Sequence, residues 1–531
     1  MNKLQIKAEI LATIRAVASA KNPTPSLLTD LKQIETKDVV FEILIRELTN
    51  SDDHKSMIVC WLLVELIEKD ILNEKLWDVV KSPDYNDHTK MICFNMLKDL
   101  GNQIDYEVIS GYFEKFNELI NQETKEMLDS AIMNPETQID FMDFLSVLHD
   151  NDKSLLLKSL EDDYTGDALA NILIPVFVTY IDTPLSDNVL SILARCKSQL
   201  ALHFLENVKK YTNAEMQQKI NKALSEIKLS GIRVDNAEEF YKNTLKESVP
   251  YKSYASFPDG HGNIALIFSR KRSNKTLQFW AIVINPKYGI LDSFGFNSMT
   301  EQDFYKIIDK FYNYQEKYEI DPEVLKCLIN KAKDKTFVEG ALPPYEYTCW
   351  ENIMLDIEPK EVELPFDRIE LNQKDIDKIS LSDYVQNWFY DEITSETFNS
   401  FIEKLSSEYK TNNFSIDLDK FVADNYDLIY TKEELERWET TFNIASYFRY
   451  LKKDIEMAKI LYSLRTNYQF LTNILRKSIY EYYIGKKYLI KNKKNTSNIF
   501  DKKTNNTEDA LTLLQLDMII SGIEARWVDH E

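Results

Sequence analysis

The stretches DHKSMI (residues 53–58) and DHTKMI (residues 87–92) lie 34 residues apart and share one pattern of polar and apolar residues. The match continues at equal offsets through Leu62, Leu63 and Leu66 in the first copy and Met96, Leu97 and Leu100 in the second. Each copy has a polar start followed by apolar residues at helical spacing, which predicts a capped helix with one buried face. Self-similarity at a period of roughly 20–50 residues is typical of solenoids, whose units bury their apolar faces against their neighbours.

The rest of residues 1–230 continues this helical pattern. DNVLSIL (residues 187–193) is a degenerate third copy, and MLKDLG (residues 96–101) closes the second copy with apolar residues and a glycine. Paired helices of this form resemble HEAT-like repeats of the armadillo/HEAT type, and the arrangement is similar to uncharacterised bacterial HEAT-repeat proteins. The resemblance implies an α-solenoid of helix pairs over residues 1–230, and such arrays generally serve as scaffolds and recognition surfaces.

Composition narrows the class of protein further. The chain has 531 residues, only 11 glycines and 14 prolines, and a net charge of −22. Scarce glycine and proline favour long helices, so we expect a mainly α fold, and the length fits about three domains. An acidic protein repels nucleic acid and anionic lipid, so the expected partners are proteins rather than nucleic acid or a membrane.

The cysteines and the N-terminus bear on the compartment. The five cysteines are odd in number and form no CxxC pair, which predicts unpaired thiols rather than a disulfide framework or a zinc site. Residues 1–20 carry charges through their apolar positions, and no window approaches the ~18 apolar residues of a membrane span. A cytoplasmic protein is therefore expected, and the many lysines, asparagines and isoleucines favour a bacterial source.

The apolar period changes in the middle of the chain. Residues 263–269, 277–284 and 288–295 alternate as strands do, and four of the eleven glycines lie between positions 260 and 295. Ser298 and Glu301 have the spacing of a capping box for a helix through Phe311. The sequence thus predicts a small α+β module with an antiparallel sheet over residues 232–320.

The chain beyond the module is predicted to be a linker followed by helices. Residues 321–365 hold five of the fourteen prolines and predict an extended connection. Residues 366–531 contain no proline and predict a second helical block. Within that block, the Lys/Asn-rich residues 486–506 predict a loop, and residues 510–523 predict a last amphipathic helix that packs back on the protein.

The candidate catalytic residues are Asp259, His261 and Asp292. The sequence Asp259-Gly260-His261-Gly262-Asn263 places a carboxylate and an imidazole between glycines, as an acid–base or metal site would. The competing interpretation is a turn, since Asp-Gly and Gly-Asn supply the backbone conformations and local hydrogen bonds that turns require. No cofactor-binding or nucleophile motif appears, so neither a cofactor nor a metal site is predicted.

A basic cluster follows the first predicted strand. Arg270, Lys271, Arg272 and Lys275 are predicted at a hairpin tip near aromatic residues, where cations and rings together can contact phosphates and bases. Against this, a charged hairpin tip is usually a solvated loop, and Trp280 lies in an apolar strand typical of a core.

Three other features of the sequence suggest further hypotheses. His54 and His88 occupy equivalent repeat positions and could share a ligand, although a helix start explains both. The lysines of residues 486–503 could contact acidic partners or simply keep a loop soluble. The aromatic series of the C-terminal block is predicted to be mainly core, with the remaining rings available to a partner. Its members are Trp388, Phe389, Tyr390, Trp438, Tyr447, Phe448, Tyr450, Tyr480, Tyr482 and Tyr483.

Together these observations favour a non-catalytic scaffold or adaptor that binds other proteins through helical-repeat surfaces. The alternative is an enzyme or a nucleic-acid-associated factor that uses residues 232–320. The sequence leaves the oligomeric state and the identity of the partner open. Convergence of Asp259, His261 and Asp292 in one pocket would favour the alternative.

Overall fold

The computed structural model of the protein describes residues 3–19, 28–49, 51–102, 106–232, 239–312, 316–391, 395–411 and 417–497. These residues are mainly helical and include one five-stranded antiparallel sheet, which confirms the coarse fold class. The chain divides into two compact units, residues 1–127 and 128–531. The sequence predicted domain boundaries near residues 230, 320 and 365, and those boundaries stay a prediction.

The first unit consists of short helices around one apolar core. They are α1 (Lys3–Ser19), α2 (Thr29–Lys32), α3 (Lys37–Leu48), α4 (Asp53–Leu66), α5 (Lys69–Lys81), α6 (Asp87–Asp99), α7 (Tyr106–Ser110) and α8 (Phe116–Ala131), the last of which contains the boundary. The repeated segments form α4 and α6. Asp52 caps α4 by accepting from the backbone N–H of Lys55, and Asn86 caps α6 by accepting from that of Thr89, so each cap precedes the repeated Asp-His pair.

The two repeated helices bury the same part of their pattern. Leu63 of α4 and Leu97 of α6 are equivalent and both fully buried. The match fails at the first apolar position, because Met57 is 64% exposed while Met91 is buried. Burial, and after it the charge of Asp99 on α6, raises the pKa of the Cys60 thiol on α4. Side chains of both helices belong to the same apolar core.

Side-chain contacts in the first unit recur at about the period of the sequence repeat. Lys75 Nζ on α5 lies 2.7 Å from a carboxylate oxygen of Asp38 on α3. Lys32 Nζ lies 2.9 Å from Glu65, which is 33 residues away.

The second unit contains the remaining helices and the sheet. Its helices are α9 (Pro135–Val147), α10 (Asp150–Asp163), α11 (Gly166–Thr179), α12 (Leu185–Arg195), α13 (Gln199–Val208), α14 (Ala214–Leu229), α15 (Glu239–Leu245), α16 (Glu301–Phe311), α17 (Pro322–Val338), α18 (Tyr345–Trp350), α19 (Gln373–Ser380), α20 (Glu396–Thr411), α21 (Leu418–Asp424), α22 (Tyr426–Ile429), α23 (Lys432–Leu451), α24 (Ile455–Leu464) and α25 (Tyr468–Ser497). The same contact period appears in α10–α12. The carboxylate of Glu161 accepts from Arg195 and Ser154 Oγ accepts from Asn188, both at a separation of 34 residues.

The sheet has the strand order β4-β3-β2-β1-β5, and every described pairing is antiparallel. Its strands are β1 (Ser248–Ser256), β2 (Ile264–Arg272), β3 (Leu277–Asn285), β4 (Gly289–Met299) and β5 (Lys317–Glu319). The three predicted strands are confirmed as β2, β3 and β4. Successive side chains of a strand face opposite sides, and here α17 and α18 cover one face while α16 covers the other.

Two predictions next to the sheet are wrong in detail. The helix through Phe311 is confirmed, but Thr300 rather than Ser298 caps it, with its hydroxyl accepting from the N–H of Asp303. Residues 321–365 are not an extended linker throughout, because they contain α17 and α18. Pro322 occupies the first turn of α17, where its missing N–H costs no hydrogen bond, and the helix packs on the sheet.

The C-terminal helices enclose an aromatic core, which confirms the main assignment of that series. Trp388, Tyr390, Trp438, Phe448 and others are buried. The backbone of α25 stays helical to Ser497, so the predicted loop over residues 486–506 is wrong up to that point. Residues 498–506 and the predicted helix over 510–523 lie outside the described residues.

Candidate functional site

The loop that contains Asp259 and His261 is a tight turn. Asp259 Oδ1 accepts hydrogen bonds from the backbone N–H groups of His261 (2.9 Å) and Asn263 (2.8 Å), and Oδ2 accepts from Asn263 Nδ2. Gly262 takes a left-handed conformation with φ of 84°, which favours glycine. The carboxylate of Asp259 is thus used to close the turn, as the competing interpretation of the sequence requires.

The same loop docks on the C-terminal helices. His261 Nε2 lies 3.2 Å from Asp391 Oδ2, and Trp388 Nε1 donates to the carbonyl oxygen of Pro258 at 2.9 Å. A Cβ on Gly260 would lie 2.7 Å from the backbone N of Phe389, so only glycine permits this approach. Asp391 is 130 residues from His261, and no local pattern in the sequence indicates the contact.

Asp292 does not join the other two candidates. It is exposed on β4, an edge strand that β3 separates from β2, and its Oδ1 accepts from the backbone N–H of Ser293 at 2.8 Å. Further along the same strand, Asn297 N–H donates to Glu136 of α9. Both carboxylates occupy backbone donors of an edge strand, which otherwise invites pairing with another chain. The three predicted residues therefore have structural contacts and form no common pocket.

The prediction of Arg270 at an exposed hairpin tip is wrong. Its side chain is 1% exposed, and its guanidinium donates to both carboxylate oxygens of Asp356 at 2.7 and 2.9 Å. It also donates to Ser248 and to the carbonyl oxygen of Ile353. Burial raises the pKa of Asp356, but the hydrogen bonds and charge of Arg270 outweigh burial, so that pKa lies below its ordinary value.

Strand alternation divides the rest of the basic cluster between two faces. Lys271 points to the face covered by α16, where its Nζ lies 3.0 Å from Glu301 and 5.0 Å from the centre of the Tyr251 ring. Arg272 shares the other face with Arg270, and Lys275 is exposed at the turn. The four cations therefore do not form one phosphate-binding surface.

Other reactive groups among the described residues are engaged or unreactive. Burial raises the pKa of each cysteine thiol, which keeps the thiols protonated at neutral pH. His54 and His88 are exposed, and no group of three or more potential ligands could hold a metal ion in the described part of the chain.

The second unit contains a solvent-open cleft. It consists of two adjoining cavities, of about 260 and 230 Å³, between α11 and α13 on one side and α17 and α18 on the other. Six residues line both cavities, so the two are one continuous space. These are Phe204, Asn207, Lys333, Tyr347, Thr348 and Glu351.

The walls of the cleft combine aromatic rings, uncharged polar groups and charged side chains of both signs, among them Lys210, Lys326 and Asp334. The rings of Tyr211 and Phe337 stack with their centres 3.8 Å apart. Lys333 is paired with Glu351, so these two charges neutralise each other. Four asparagines line the 230 Å³ cavity, and an amide side chain can both donate to and accept from a peptide backbone. They are Asn171, Asn207, Asn330 and Asn352. Asn171 is already engaged, since its Nδ2 donates to the carbonyl oxygen of Ile132 and its Oδ1 accepts from the Tyr241 hydroxyl, and Asn207 Nδ2 donates to the carbonyl oxygen of His203.

The sequence did not indicate this cleft, because its walls come from segments more than 100 residues apart. No protein-family model, no curated protein and no solved structure matches the chain. Among the described residues no helix combines the length and the apolar character needed to cross a membrane.

Proposed function

We propose that the protein is a non-catalytic scaffold or adaptor that binds an extended segment of another protein in the cleft between α13 and α17–α18. The observation that carries the proposal is the composition of the cleft, in which stacked rings and amide side chains line an open space with little net charge. Rings supply apolar contact area, and amides pair with the backbone groups that an extended segment presents. The absence of a catalytic arrangement among Asp259, His261 and Asp292 agrees with this function.

The finer fold belongs to the same proposal. We propose that residues 3–127 and 128–230 are each stacks of HEAT-like helix pairs. The support is the agreement between two periods: the sequence repeats after 34 residues, and contacts such as Glu161–Arg195 and Lys32–Glu65 join residues 34 and 33 positions apart. In a solenoid each unit contacts its neighbour at equivalent positions, so the contact period equals the repeat period. A cytoplasmic location, with protein partners, completes the proposal.

A peptide-display experiment tests the binding function. Random dodecapeptides on phage are selected against the full chain, against Asn207→Trp, and against Asn221→Trp. Asn207 is exposed on α13 and lines both cavities, whereas Asn221 is exposed on α14 and lines neither. We expect peptides that bind the unmodified chain and Asn221→Trp equally and that bind Asn207→Trp at least about tenfold more weakly. Selection of no peptide, or of peptides insensitive to Asn207→Trp, contradicts the proposal.

A further inference from the structure

A smaller cavity of about 70 Å³ adjoins the cleft. It shares Asn171, Tyr241 and Asn352 with the 230 Å³ cavity, so these side chains form the wall between the two spaces. A single water needs roughly 10–15 Å³ of such volume, so the space holds a group of several heavy atoms. The cavity contains one cation, Arg272, among mainly uncharged polar and apolar neighbours.

Arg272 and Arg270 lie two positions apart on the same face of β2, but they differ in whether a carboxylate neutralises them. Arg270 is neutralised by Asp356. Arg272 has no carboxylate oxygen within 4.0 Å among the described residues, although burial is sufficient to lower the pKa of its guanidinium. A partly desolvated cation without a counter-charge is costly, and an anion in the adjoining space removes that cost.

The donors around Arg272 are arranged for an acceptor. Arg272 Nη2 and Gln278 Nε2 both donate to Asn297 Oδ1, at 2.6 and 2.9 Å, so one end of the guanidinium is tied to β4. Within the described structure Nε and Nη1 have no protein acceptor. The backbone N–H of Asn297 donates to Glu136 Oε2, and Glu136 has no oxygen within 4.0 Å of a nitrogen of Arg272. Arginine presents its donors as a planar fork that matches the two oxygens of a carboxylate.

We propose that Arg272 anchors a carboxylate-binding subsite, which receives an acidic group of the protein segment bound in the adjoining cleft. This inference rests on the proposed function and specifies its ligand. The shared wall at Tyr241 and Asn352 places the subsite beside the peptide path. The carboxylate can belong to an acidic side chain or to a C-terminus, because both present the same two oxygens.

Titration calorimetry on the full chain tests the subsite directly. The probes are acetyl-glutamate amide, which has only a side-chain carboxylate, acetyl-glycine, which has only a terminal one, and neutral acetyl-glutamine amide. Inorganic phosphate is the fourth probe. The variants are Arg272→Gln and, as a matched control on the same hairpin, Lys275→Gln, whose side chain is exposed at the turn.

We expect a carboxylate probe to bind the unmodified chain and Lys275→Gln equally, and Arg272→Gln at least about tenfold more weakly. The tighter of the two carboxylate probes identifies the source of the group. Equal weakening by both variants, tighter binding of phosphate than of either carboxylate, or equal binding of the neutral probe each overturns the proposal. If carboxylates bind while peptide selection fails, the subsite stands and the peptide-binding function does not.

Discussion

Replacing Arg270 with methionine should destabilise the sheet strongly. The substitution keeps an apolar side chain on β2 but removes five hydrogen bonds, two of them to Asp356. The carbonyl oxygens of Ser248 and Ile353 lose their guanidinium donor in a buried site, and each unsatisfied acceptor costs about 1–3 kcal/mol. Because the side chain of Asp356 remains partly exposed, its stranded charge adds less than a fully buried one. We expect a loss of about 3–5 kcal/mol.

Arg195→Met is the matched control for this prediction. Arg195 also binds a carboxylate with two nitrogens, Nε and Nη2 to Glu161, but about half of its side chain is exposed. Solvent screens an exposed pair, and such pairs contribute about 0–1 kcal/mol. The two variants thus remove the same type of interaction from a buried site and from a surface site.

Hydrogen exchange followed by mass spectrometry on the full chain is the appropriate assay, because a chain with two units need not unfold in one step. Peptides from β2 and β3 should exchange at least about 100-fold faster in Arg270→Met, since each 1.4 kcal/mol corresponds to a factor of ten. If Arg270→Met does not fold, Asp356→Asn takes its place in the assay. Asp356→Asn retains an acceptor, so it should accelerate exchange of these peptides by a smaller factor. Equal exchange of these peptides in Arg270→Met and Arg195→Met would refute the reasoning.

Three further outcomes follow from the structure. The pKa of the Asp356 carboxyl is lowered in the folded protein, so its charge stabilises the fold above the unfolded-state pKa of 3.8. That stability is lost as the pH falls through the folded-state pKa. The difference in urea midpoint between the unmodified chain and Asp356→Asn should therefore shrink below pH 4. Gly289→Ala should lower the melting temperature more than Gly340→Ala. Both residues have positive φ, but only a Cβ at position 289 meets another atom, 2.5 Å from the backbone N of Thr336. This overlap should cost about 1–3 kcal/mol of stability. Burial and the charge of Asp99 raise the pKa of Cys60 to about 11, so intact-mass measurements should show alkylation by iodoacetamide at pH 8 that is about 100-fold slower than in unfolded protein.

Local patterns predicted the parts of the fold that local physics decides. The β-rich runs at residues 263–269 and 277–284 identified β2 and β3, because a strand between two covered faces needs apolar residues in succession. β1 was missed because Pro250 argues against a regular strand, and the structure has an irregular register between Pro250 and Ser253. α17 was missed because its only proline lies in the first helical turn, where proline is compatible with a helix.

The candidate sites depended on contacts that no local pattern contains. Arg270 and Arg272 are indistinguishable in sequence, being two basic residues on one face of one strand. Asp356, 86 residues away, neutralises the first, whereas no carboxylate of the described residues does so for the second, which lines a cavity. In the same way, no local pattern indicates that His261 pairs with Asp391, 130 residues away.

The net charge of −22 and the proposed carboxylate ligand are compatible because they act over different distances. At physiological ionic strength the protein's acidic surface is screened beyond about 8 Å, so it slows the approach of an acidic segment without reaching far into solution. Within the cavity the relevant charge is that of Arg272, which is screened less because it is partly buried. A carboxylate bound in the cavity would neutralise Arg272 as Asp356 neutralises Arg270 on the same strand. Under the proposal the acidic surface repels a carboxylate, whereas the cation of Arg272 attracts it within the cavity, and this contrast favours selectivity for an acidic group that fits the cavity.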